Sequence, residues 1–289
     1  MEKAMSSKLS ETSKRIYVGL PLAAGLILLV SLGPSWLLFL AALIFALLGW
    51  SEYSKLSQLT LNGRSFYLLG YPGIIIAMCL SYFSVDYSFI ALWLFFVLGF
   101  ASVLNEKTEI KGRANSNEKS NLQRQLSIFC LGQIYIFFLF GFLTPIAKEY
   151  GNFLLLYLFV IVLTGDVMAY FVGRKFGRNR LAPALSPSKT WEGAFGSLIG
   201  SALGAAAIYC ASPLLFGEKP QISLLFLILF AIFASPFSQA GDLLESFIKR
   251  WSKQKDSGGI FPGHGGVLDR IDGLFFVSAL LYFVAGFFL

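Results

Sequence analysis

Three aspartates, Asp242, Asp269 and Asp272, gather near the end of a 289-residue chain in which only 13% of residues are charged. Carboxylates set beside membrane-length apolar runs are costly and point to function. Asp269 and Asp272 are three positions apart, so on a helix they share a face. Two like charges that close resist being ionised together unless a cation lies between them. Hard divalent cations such as Mg²⁺ take carboxylate oxygens together with substrate phosphates, and a site combining Asp242, Asp269 and Asp272 suits that style. The alternative stays open at this level: Asp269 caps a helix and Arg270 pairs with Asp272 or with a lipid phosphate.

The residues between these aspartates strengthen the metal–phosphate reading. The stretch "LLESFIKRWSKQKDSGGIFPGHGGVL" carries Lys249, Arg250, Lys253 and Lys255, then Gly258, Gly259, Gly263, Gly265 and Gly266. Bare backbone amides in such a turn approach phosphate oxygens closely, and the basic side chains add charge. A second polar segment, "SPSKTWEG", is a proline-fixed turn presenting Ser186, Ser188, Lys189 and Thr190 to a polar pocket. Gly196, Gly200 and Gly204 follow it as a small-residue ridge for close helix packing. Other chemistries drop out. There is no GxxxxGK[ST] phosphate loop. His264 is the single histidine, which removes two-histidine relays and disfavours zinc. Its own role is either a structural hydrogen bond in the glycine turn or acid–base work. Cys79, Cys130 and Cys210 lie in apolar segments without CxxC spacing, so neither a disulfide framework nor a metal cluster is expected.

The elements that must position these residues are membrane helices. A chain that is 56% hydrophobic, with a mean hydropathy of +0.70, belongs to an all-α, polytopic integral membrane protein. Apolar runs predict nine spans, near 17–33, 34–50, 66–83, 86–104, 127–146, 153–172, 193–211, 221–240 and 271–289. The first two share the turn "LGPS", and a re-entrant hairpin is an alternative there. A second apolar run begins at Pro34, so the first is read as a retained span rather than a cleaved leader. With nine spans, all of the 23 lysines and arginines except Lys148 and Lys219 fall on one side. By the positive-inside rule that side is cytoplasmic, with the N-terminus inside, the C-terminus outside and the Asp269 segment facing the cytoplasm. The net charge of +7 then follows from topology and anionic lipid contacts, and no nucleic acid is implied. Residues 105–126 read as a solvated connector. Asp166 interrupts the sixth run. The chain divides into 1–150, a structural or dimer-forming region, and 151–289, the catalytic region.

Ser246 to Asp272, "SFIKRWSKQKDSGGIFPGHGGVLDRID", resembles the defining motif of the phosphatidate cytidylyltransferases, also called CDP-diacylglycerol synthases. The diagnostic positions Ser246, Lys249, Arg250, Lys255, Asp256, Pro262, His264, Gly265, Gly266, Asp269, Arg270 and Asp272 are filled. "GDLLES", "SPSKTWEG" and "TGDVMAYFVGRKFG" also resemble family segments, so the likeness covers roughly 160–289. Ser188 departs from it, standing where members often carry a second basic residue. The resemblance implies transfer of CMP from CTP to phosphatidic acid, giving CDP-diacylglycerol and pyrophosphate. It implies Asp242, Asp269 and Asp272 as metal carboxylates for Mg²⁺, with a second cation such as K⁺ as an option. Lys249 and Arg250 join them as catalytic candidates. Substrate contacts would come from Ser186, Lys189, Thr190, Lys255, His264, Gly265, Gly266 and Arg270. A homodimer in contact with membrane lipids is the implied assembly, and the short N-terminus and compact length suggest a bacterial inner-membrane version. Two rivals are a CTP-dependent polyprenol- or phytol-type lipid kinase, against which the complete HGGxxDRxD motif argues, and a cation-coupled transporter. The transporter predicts charges near the bilayer midplane, whereas here they gather at one interface.

Overall fold

A computed structural model describes residues 21, 24–58, 64–109, 116–254, 256–260 and 265–289. After a helical stretch at 24–32, broken at Gly33–Pro34, the helices are α1 (Ser35–Leu56), α2 (Arg64–Phe83), α3 (Val85–Glu109), α4 (Ser116–Phe140), α5 (Leu143–Tyr150) and α6 (Asn152–Phe176). A short antiparallel hairpin, β1 (Arg180–Ala182) and β2 (Ser186–Thr190), leads into α7 (Trp191–Phe216) and α8 (Leu224–Trp251). The one-turn α9 (Leu268–Ile271) and α10 (Leu274–Phe288) complete the chain. Among the described residues, six helices are long and apolar enough to cross a membrane, so the chain is built as an integral membrane protein. Two shorter apolar helices, Val85–Leu98 and Leu274–Phe288, occupy the expected fourth and ninth runs. The expected first span at 17–33 lies partly outside the described residues.

Two differences from the sequence reading bear on the site. The "SPSKT" turn is one strand of a hairpin, with Pro187 on an edge where a missing N–H costs no ladder bond. And α1 does not stop at residue 50: it runs to Leu56 through "SEYSKL", because Glu52, Tyr53, Ser54 and Leu56 are buried against other helices rather than solvated. The Tyr53 hydroxyl donates to the Ile128 carbonyl at 3.0 Å, and Ser54 donates back to the Trp50 carbonyl at 2.7 Å.

The C-terminal part of the bundle is tied together by small and polar residues, as expected where lipid gives no hydrophobic drive between helices. The Gly196–Gly200–Gly204 ridge of α7 is buried against α6: a Cβ at Gly196 would lie 2.7 Å from the Val172 Cβ, and the others would meet Thr164 and Met168. Ser235 on α8 donates to Ser197 on α7 at 2.9 Å, and Ser201 donates to the Ile161 carbonyl at 2.9 Å. Opposite, α10 packs on α4 through the stacked rings of Tyr135 and Phe275 and through Ser278, which donates to the Phe138 carbonyl at 2.7 Å. Large apolar side chains such as Phe195, Ile199, Leu203 and Phe233 point outward.

Candidate active site

The site is assembled on the last turns of α8. Ser238, Asp242, Glu245 and Lys249 succeed one another at spacings of three and four, so they form one stripe of that helix. Gly241 lets the backbone before α10 come in against α8: a Cβ there would collide with the Asp272 carbonyl oxygen. Asp272 is thereby brought to the stripe. Carboxylate oxygens of Asp242, Glu245 and Asp272 lie within 4.8 Å of one another. Asp166 on α6 stands nearby, 3.7 Å from where a Cβ at Gly273 would be.

Lysines border this group on two sides. Lys189, at the end of β2, forms an ion pair with Asp242 at 2.5 Å and donates to the Gln239 carbonyl at 3.4 Å. Lys249 bridges Glu245 at 2.6 Å and Asp269 at 2.7 Å. Asp269 is otherwise engaged by its own loop: its Oδ2 accepts from the Ser257 amide at 2.9 Å, the Ser257 hydroxyl at 2.9 Å and the Gly266 amide at 2.8 Å. Burial opposes its ionisation, but Lys249 and the two amides outweigh that and draw the carboxyl down to about 2. Gly265 has a φ of +81°, a left-handed conformation that glycine adopts at little cost, and a Cβ there would press on Asp269.

The predicted residues therefore divide. Asp242 and Asp272 converge, with Lys189 and Lys249 beside them. Asp269 sits on the far side of Lys249, both oxygens occupied. Gly265 and Gly266 shape the Asp269 loop. Arg250 reaches away, its Nε donating to the Leu185 carbonyl at 3.2 Å, and so ties the hairpin to α8. Thr190 is the N-cap of α7, accepting from the Gly193 amide at 3.1 Å, while Ser186 pairs with Ala182 at the hairpin end. Arg270 lines a separate apolar chamber of about 520 Å³, bounded by Leu26, Val30, Leu38, Phe140 and Leu155 among others. Lys255 and His264 lie outside the described residues. The residue that sequence reasoning passed over is Glu245. Its spacing of three from Asp242 and four from Lys249 was the available signal.

The donor set fits a hard divalent cation. Glu245 is buried, and its Oε1 has no hydrogen-bond partner although Oε2 is held by Lys249. A buried carboxylate oxygen left bare beside two more carboxylates is an arrangement that oxygen-seeking ions satisfy.

A carboxylate group flanked by lysines at the end of a helical bundle, beside an apolar chamber, is an arrangement that can take a metal-bound phosphate. A model of the cytidylyltransferase family matches residues 13–288, and the chain belongs to that family. It is similar to the phosphatidate cytidylyltransferase of Bacillus subtilis, 40% identical over 166 residues, 57% of this chain and 60% of the relative. To the enzyme of that name from Haemophilus influenzae it is 45% identical over 126 residues, 43% of each. To the one from Thermotoga maritima it is 35% identical over 170 residues, 58% of this chain and 62% of the relative. Each match covers less than two thirds of the relative's own length.

Proposed function

We propose that this chain is a phosphatidate cytidylyltransferase, joining CMP from CTP to phosphatidic acid with release of pyrophosphate. The observation that carries this reading is the convergence of Asp242, Glu245 and Asp272 between Lys189 and Lys249. The family membership and the names of the bacterial relatives support the same reading. Asp242, Glu245 and Asp272 would hold Mg²⁺, with Asp166 available to a second cation such as K⁺. Held by these residues, Mg²⁺ would supply neutralisation of phosphate charge and Lewis-acid polarisation of the phosphoryl group.

The chain's own groups have mainly positioning tasks. Phosphatidate brings an anionic phosphate oxygen as nucleophile, so no strong base and no covalent intermediate are required. That oxygen forms a bond to the α-phosphorus of CTP while the bond from this phosphorus to the α,β-bridging oxygen breaks, and pyrophosphate leaves with the electron pair. Lys189 and Lys249 supply fixed positive charge beside the reacting phosphates. Arg270, at the wall of the apolar chamber, meets the lipid phosphate while an acyl chain fills the chamber. The setting we assign is a bacterial inner membrane, crossed nine times, with the N-terminus and the site on the cytoplasmic side and the C-terminus outside. The asymmetry of lysine and arginine supports this. A homodimer is the expected assembly.

The direct test supplies purified protein with labelled CTP, phosphatidate and Mg²⁺, and follows lipid-linked CMP and pyrophosphate. Equal amounts of both are expected. Transfer of the γ-phosphate, or no turnover, overturns the assignment.

A further inference from the structure

Glu52 is the one acidic residue that α1 sends into the described interior, and it is only 3% exposed. It does not face other helices' side chains at random. Its Oε1 accepts from the Val267 amide at 3.0 Å, and its Oε2 accepts from the Leu268 amide at 3.1 Å and faces the Ser257 hydroxyl at 3.2 Å. That hydroxyl is the same one that lies 2.9 Å from Asp269 Oδ2. One buried carboxylate therefore holds residue 257 on one side and the start of α9 on the other.

The neighbouring glycines fit this grip. A Cβ on Gly258 would meet nothing nearer than Glu52, colliding with its Oε1 and lying 2.8 Å from its Cδ. A Cβ on Gly266 would press on Ser257 and on both Glu52 oxygens. One turn earlier in α1, Gly49 gives Leu268 its seat, since a Cβ there would lie 3.2 Å from the Leu268 Cδ2. Asp269 and Asp272 follow directly along the chain from the two amides that Glu52 holds. The placement of Asp272 against Asp242 and Glu245 thus depends on a helix from the other half of the molecule.

We propose that Glu52 is a positioning residue for the transfer site, a clamp that fixes Ser257 and the start of α9 and through them Asp269 and Asp272. This rests on the reading of the site given under Proposed function. Glu52 is buried against Ser257, Val267 and Leu268, so its effect passes through them. Glutamine has the same shape but only one acceptor oxygen, so in either orientation its NH₂ faces a backbone N–H.

The test uses the full chain in detergent or nanodiscs. In Glu52→Gln, hydrogen exchange at the Val267 and Leu268 amides should accelerate at least about tenfold, the loss expected for a charge-assisted hydrogen bond. The kcat should fall by a comparable factor and half-saturating Mg²⁺ should rise, with the KM for phosphatidate unchanged. A double-mutant cycle supplies the second measurement. Gly258→Ala should slow turnover and loosen the same amides in the native background, yet add nothing in the Glu52→Ala background, where its methyl no longer has a carboxylate to meet. Unchanged exchange and kcat in Glu52→Gln, or additive effects in the cycle, overturn the proposal. So does failure of both Glu52→Gln and Gly258→Ala to accumulate as folded protein, which would make Glu52 a stability residue only. If the unsubstituted chain transfers no CMP, the functional assignment fails, while the exchange cycle still reports on the clamp.

Discussion

Asp242, Glu245 and Asp272 have distinct surroundings, so their substitutions should differ from that of Asp269. Asp242→Asn or Asp272→Asn removes a carboxylate from the convergent group, and turnover should fall roughly a hundredfold or more with the fold retained. Glu245→Gln should raise the Mg²⁺ concentration needed for half-maximal rate, because the bare Oε1 is lost as a ligand. Chelation should stop turnover in the unsubstituted chain and Mg²⁺ restore it. Normal Mg²⁺ dependence in all three variants would contradict the metal assignment. Asp269→Asn behaves otherwise: it leaves Lys249 facing an amide and breaks a three-donor cage, so it should also lower thermal stability, by about 3 kcal/mol. A melting curve separates the two classes. The aspartates were legible in the sequence, because charges are rare in this chain and their spacing is short. Which of them converge was not, since that depends on how α10 approaches Gly241. Glu245 carried a readable spacing. Glu52 carried none, because its partners are two backbone amides and a serine hydroxyl about 205 residues away, a pairing that leaves no mark in the sequence.

At the scale of elements, the central runs were well marked by hydropathy, and the errors fell at helix ends where polar residues are buried rather than solvated. The extension of α1 through Ser51–Leu56 and of α8 as far as Trp251 places Glu52, Glu245 and Lys249 on rigid helices instead of loops. A window of hydropathy cannot detect this, because the polar groups there are satisfied by neighbouring helices. The glycine ridge of α7 was correctly read as a packing feature, and its partner is α6 of the same chain. Gly200→Ala should therefore lower the melting temperature, at a cost of about 1–3 kcal/mol, through contact with Thr164 and Met168. The Mg²⁺ dependence of the remaining folded protein should not change. A melting temperature equal to the parent's would show that α6 and α7 have slack at this crossing.

For the whole molecule, large apolar side chains lie on the outside as well as in a mostly apolar core that also holds buried serines, and the proposed orientation rests on charge asymmetry. The proposed topology predicts labelling. In a background with Cys79, Cys130 and Cys210 replaced, a cysteine at Lys219, between α7 and α8, should react with an impermeant reagent from outside the cell. One at Lys253, just past α8, should react only after the membrane is opened. Labelling of both from one side would contradict the orientation.

Glu52 and the Val267 amide are 215 residues apart in sequence. In an inserting chain, α1 enters the bilayer long before the segment that satisfies its carboxylate has been synthesised. The last part of the chain therefore closes an account opened near the beginning, and a copy that stops short of residue 267 keeps an unsatisfied acid near the end of α1.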